Sequence, residues 1–130
     1  MLVNDNSVKD QPLAILSIQS NVVTGHVGNA AATLPLQRLG FEVWSVDTVT
    51  FSNHPAHKTH RGRENPAVDI ADLINGIEAR GLFSKCTALL SGYLGQAATG
   101  HVTLNAVKKI KQKNKRALFL CDPVLGDQGK

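Results

Sequence analysis

A chain of 130 residues has room for one folding unit, at roughly 100–200 residues per domain. Apolar residues make up 42% and charged residues 18%, which excludes both a disordered chain and a coiled coil. The net charge of +4 is modest, so the placement of the basic residues matters more than their sum.

The N-terminus, Met1 to Gln11, is polar and has no apolar core of the kind a signal peptide needs. Leu13-Ala-Ile-Leu-Ser-Ile18 is a short apolar run that predicts a strand buried on both faces. Gln19-Ser20-Asn21 reads as a polar turn, followed by a glycine loop, Gly25-His-Val-Gly28-Asn29. A helix is expected over Ala30 to Leu39, stopped by Gly40 and kinked or delimited by Pro35. A second strand, Glu42 to Val46, precedes Asp47 to Asn65, which reads as a long irregular segment with three histidines. Ile70, Leu73, Ile74 and Ile77 predict a helix over Val68 to Arg80, opened by Pro66 and closed by Gly81. Thr87 to Leu90 is a third strand, Val102 to Lys113 a third helix, and Ala117 to Cys121 a fourth strand that breaks at Asp122-Pro123. This alternation argues for an α/β fold, a parallel sheet covered by helices on both faces.

Cys86 and Cys121 lie far apart, without a CxxC or a nearby histidine at metal spacing, so no disulfide framework is expected. Both lie in or beside apolar runs and read as buried, reduced thiols. No run approaches the ~18 apolar residues of a membrane span, and a soluble cytoplasmic protein is expected. The cluster Lys108, Lys109, Lys111, Lys113, Lys115 and Arg116 ends the third helix, where cations complement the helix dipole, and nucleic acid is not needed to explain it.

Open parallel sheets bind ligands beyond the carboxyl ends of their strands. The residues there are Gln19 to Asn21 with the glycine loop, Asp47 to His54, Ser91-Gly92-Tyr93, and Asp122 to Asp127. Gly25-x-x-Gly28 matches no phosphate-binding fingerprint and by itself is a tight turn. His54, His57 and His60 are spaced by three, but Pro55 argues against a helix and no acidic residue stands close, so a metal site is not expected. Ser20 lacks a nucleophile elbow, and Tyr93 is open to either stacking or core packing. Asp122 and Asp127 flank a stiff turn after a buried strand, where carboxylates either hold Mg²⁺ on nucleotide phosphates or simply cap the turn.

Five segments in register resemble the pyridoxal kinases of the ribokinase-like superfamily: Ile15-Leu-Ser-Ile-Gln-Ser20, Gly25 to Ala32, Phe51-Ser-Asn-His54, Leu90-Ser-Gly-Tyr93 and Cys121-Asp-Pro-Val-Leu-Gly-Asp127. The resemblance implies a three-layer α/β/α sandwich with a mainly parallel sheet, of which residues 13–130 form the N-terminal part; residues 1–12 read from their polar composition as a disordered arm. It implies transfer of the ATP γ-phosphate to the 5′-hydroxyl of pyridoxal in vitamin B6 salvage. Mg²⁺ is the implied metal, with a monovalent cation as a further candidate, and the implied assembly is a homodimer. Ser20, Val27, Phe51, His54, Pro55 and Tyr93 match substrate-binding positions, and Asp122 and Asp127 match positions near the ATP phosphates and their cations.

Two positions depart from the family pattern. Asn21 stands where members often carry His, and Pro55 where they often carry a Thr whose hydroxyl contacts substrate. No Gly-x-Gly-Asp motif, which supplies the family's general base, occurs in the sequence, so no catalytic residue is assigned and these 130 residues alone are expected to lack kinase activity. Two other readings stand beside the first: a kinase of hydroxymethylpyrimidine or another vitamin precursor, and a non-catalytic vitamer-binding remnant.

Overall fold

The structure, a computed structural model, describes residues 11–124. The expected N-terminal arm falls almost wholly outside the described residues, as does Asp127. In chain order the elements are β1 (Ala14–Val22), α1 (Asn29–Arg38), β2 (Glu42–Phe51), β3 (Gly62–Glu64), α2 (Ala67–Ala79), β4 (Cys86–Ser91), α3 (Ala97–Lys113) and β5 (Leu118–Cys121), with one 3-10 turn at Leu82–Lys85. The sheet runs β3-β2-β1-β4-β5. The β2–β1, β1–β4 and β4–β5 pairs are parallel, and β3 is antiparallel to β2 at one edge.

Strand side chains alternate between faces, and the two faces of β1 are chemically different. Leu16 and Ile18 point into an apolar core with Val46, Leu89, Ile70 and Ile74 of α2, and Ala106 and Ile110 of α3. Ser17 points the other way and donates to Asn29 at the start of α1. Helices α2 and α3 therefore cover one face, and α1 covers part of the other. Of the predicted stripe on α2, Ile70 and Ile74 are almost fully buried and Ile77 partly so, whereas Leu73 is 59% exposed at the edge of the buried face.

Several boundaries differ from the sequence reading. Gln19 to Asn21 continue β1 rather than turning, because their polar side chains find hydrogen-bond partners inside the fold. The segment from Asp47 is not irregular at its start: Thr48-Val-Thr-Phe51 is β-branched and aromatic, suits a strand, and extends β2. Its far end returns as β3, whose Gly62, Arg63 and Glu64 are all exposed, so no apolar pattern marks it. Helix α3 begins at Ala97, ahead of the predicted Val102. Gly100 obscures this first turn in the sequence, yet Thr99 within it is fully buried. Pro35 lies inside α1 and offers no amide hydrogen to the helix ladder. Cys86 is buried as expected, and burial pushes its thiol pKa above the ordinary value. Cys121 is exposed, a correction that follows from its place on β5, which among the described residues pairs only with β4. No helix among the described residues is long and apolar enough to cross a membrane.

Candidate functional site

The chain leaves β1 toward β2 and leaves β4 toward β5, so the winding direction reverses between the adjacent strands β1 and β4. A crevice opens at the carboxyl ends of strands at such a switch point. Backbone hydrogen bonds hold the four parallel strand ends in a row. Val23 N–H donates to the Phe51 carbonyl at 2.9 Å, Gly92 N–H to Ile18 at 3.0 Å, and Asp122 N–H to Ser91 at 2.8 Å. Phe51, Ser20, Tyr93 and Asp122 are thereby positioned along one rim.

Ser20 sits at an irregularity. Gln19 pairs with Asp47 but Asn21 pairs with Thr50, so Ser20 lies opposite two residues of β2. The extra residue belongs to β2, and bulges of this kind are frequent next to binding sites. Gly28, at φ 53°, closes over Ser20 from the start of α1. A Cβ on Gly28 would fall on the Ser20 carbonyl and within 2.5 Å of its hydroxyl, so no other residue fits there without displacing the serine. Val27, half-buried, is next to this contact.

The loop between β2 and β3 is stitched by its own polar residues. Asn53 Nδ2 donates to the Thr59 carbonyl at 2.8 Å, and Arg61 N–H donates to Ser52 Oγ at 2.9 Å. Ser52 and Asn53 therefore shape the hairpin. His54 and Pro55 are half-buried, and His57 closes a turn by donating its N–H to the His54 carbonyl at 3.1 Å. The Ala56 N–H donates to His54 Nδ1 at 2.9 Å. This bond makes Nδ1 an acceptor, so the neutral ring carries its proton on Nε2. His60 is exposed and meets Phe51 edge-on, with ring centroids 5.2 Å apart.

Tyr93 is 36% exposed, and the Thr48 hydroxyl fixes its backbone by donating to its carbonyl at 2.6 Å. Stacking on a ligand is therefore open to the ring, and core packing is not its role. Asp122 is exposed at the end of β5. No cluster of three or more His, Cys, Asp or Glu side chains suited to a metal ion occurs among the described residues. Sequence reading passed over Gln19, Asn29 and Asp47 as turn and loop residues. Beneath α1, Asn29 donates to Asp47 and to the Val46 carbonyl and Gln19 donates to Ser17, and the signal that could have found them is the polar Ser17 and Gln19 inside an otherwise apolar strand.

No protein-family model matches the chain. It is 52% identical over 118 residues to pyridoxal kinase PdxY of Rubrobacter xylanophilus, covering 91% of this chain and 41% of that one. It is 50% identical over 126 residues to pyridoxal kinase PdxY of Deinococcus radiodurans, covering 97% and 42% respectively. The chain is a homologue of the pyridoxal kinases. It spans about two-fifths of the length of the curated relatives it matches. Among solved structures, pyridoxal kinase from Leishmania donovani in complex with ADP and pyridoxamine superposes with a TM-score of 0.84 at 34% identity, over 91% of this chain and 42% of that one. The mostly parallel sheet with flanking helices is the α/β arrangement this chain shares with that structure over this length.

Proposed function

We propose that this chain is the N-terminal portion of a pyridoxal kinase, which phosphorylates the 5′-hydroxyl of pyridoxal with ATP. The observation that carries this reading is the placement at the β1–β4 switch point of Ser20, opposite the β2 bulge and roofed by Gly28, together with the exposed Tyr93. In this reading the Ser20 hydroxyl hydrogen-bonds the pyridine ring, Tyr93 lies beside it, and Val27 and Phe51 supply apolar walls. His54 presents its Nε2–H from the hairpin, with Pro55 beside it. Such a mostly apolar pocket with a few fixed polar groups is what a small aromatic substrate needs.

Asp122 is the candidate on the nucleotide side, and Asp127 would join it from outside the described residues. Mg²⁺ keeps several waters and takes phosphate oxygens, so one or two carboxylates suffice to bind it. An exposed Asp122, anchored through its backbone at a strand end, fits that demand. The ion when bound supplies charge neutralisation at the phosphates. A homodimer, a cytoplasmic location and a place in vitamin B6 salvage belong to the same reading, as implied by the family resemblance.

Titration of the protein with pyridoxal, followed by absorbance, tests the substrate half of this reading. A saturable spectral change is expected. Loss of one hydrogen bond in Ser20→Ala should weaken binding by up to about tenfold. Absence of any saturable change with the unsubstituted protein would overturn the reading.

A further inference from the structure

Beneath α1 the sheet carries a polar network where aliphatic side chains would ordinarily pack. Asn29, the first residue of α1, is 4% exposed. Its Oδ1 accepts from Ser17 Oγ at 2.7 Å, and its Nδ2 donates to Asp47 Oδ1 at 2.8 Å and to the Val46 carbonyl at 3.2 Å. The other Asp47 oxygen accepts from Asn21 Nδ2 at 3.2 Å. Ser17 Oγ also accepts from Gln19 Nε2 at 2.9 Å. The Gln19 amide in turn fills the space where a Cβ on Gly92 would stand, 2.6 Å from Oε1, beside Tyr93.

These bonds tie α1 to β1 and β2 at one residue, and that residue follows Gly28, the roof over Ser20. Asn29 is the one buried residue of α1, and the further side-chain bond from this helix to the sheet, Thr33 Oγ1 to Ser45 Oγ at 3.1 Å, lies on the exposed side one turn later. The Asn29 side chain therefore anchors the start of α1, and with it the gap between Gly28 and Ser20. A buried amide with both ends bonded specifies one position, whereas a purely apolar contact tolerates sliding.

We infer that Asn29 and Asp47 are positioning residues for pyridoxal: without touching the substrate, their hydrogen bond fixes the Gly28–Ser20 wall of the pocket and so sets vitamer affinity. The inference rests on Ser20 being the pyridine-binding residue.

Charge complementarity supplies the test. Asn29→Asp sets two carboxylates against each other, and the double variant N29D/D47N restores one carboxylate facing one amide with the direction of donation reversed. Three quantities are read for each protein: melting temperature, the pyridoxal dissociation constant well below melting, and amide hydrogen exchange over residues 27–32. N29D should weaken pyridoxal binding by roughly tenfold or more and speed exchange at the start of α1, and the double variant should recover part of both, since the bond to the Val46 carbonyl stays lost. Should N29D fail to fold, Asn29→Ala, which removes the bond without repulsion, is expected to shift both quantities in the same direction. Unchanged pyridoxal affinity in variants with a lowered melting temperature would overturn the inference, reducing the network to a stabilising one. Unchanged exchange at residues 27–32 would overturn it whatever the ligand. Failure of the unsubstituted protein to bind pyridoxal would instead overturn the assignment of Ser20.

Discussion

At the residue scale, function depends on a few positions where backbone geometry leaves no alternative. Ser20 is one, because the slip between Gln19 and Asn21 and the close approach of Gly28 together fix its surroundings. Pro55 is the informative departure. It occupies the turn closed by the bond from His57 N–H to the His54 carbonyl, where a fixed φ is favourable, but it has no hydroxyl to offer a substrate. Pro55→Thr should tighten pyridoxal binding several-fold while lowering stability by under about 1 kcal/mol, as the turn loses its preset φ. An unchanged pyridoxal dissociation constant in P55T would sink the idea that the missing hydroxyl costs affinity.

At the element scale, the two faces of the sheet are built on different principles. Helices α2 and α3 are held by an apolar core, and Thr103, buried in α3, satisfies its hydroxyl by donating to the Thr99 carbonyl at 2.9 Å. The Lys109–Glu78 pair between them is 3.0 Å long but more than a third exposed on both sides, so it contributes little. Helix α1 is weaker: it carries Pro35 in its interior and leaves Leu34 exposed. Pro35→Ala returns an amide donor to the helix and should stabilise the protein by about 1–2 kcal/mol, less than the full proline penalty because the unfolded chain also gains freedom. Thermal denaturation should show a rise of about 5 °C, and no rise would mean that the surroundings already accommodate the ring.

At the scale of the whole molecule, the sheet is unevenly covered. On the face that α1 shares, Leu118 and Leu120 of β5 are 64% and 53% exposed, and β5 has an unpaired edge among the described residues. Exposed apolar edge strands invite pairing with another copy. The 130-residue chain should self-associate through this strand, and replacing Leu118 and Leu120 by Thr should raise the concentration at which association sets in by at least about tenfold. Light scattering against concentration measures this, and equal association in the variant would place the contact elsewhere.

The sequence by itself determined the alternation of strand and helix, the apolar stripe of α2 and the four polar strand ends, because these are local patterns of period two or 3.6. The motif around Phe51 to His54 and that around Ser20 were legible for the same reason: their residues are adjacent in the chain. Strand order, the register slip opposite Ser20, the pairing of β3, and the bond between Asn29 and Asp47 were decided only by the tertiary structure. Each depends on residues distant in sequence meeting in space. A lone Asn after a glycine and a lone Asp after a strand read as loop residues until the sheet brings them to 2.8 Å.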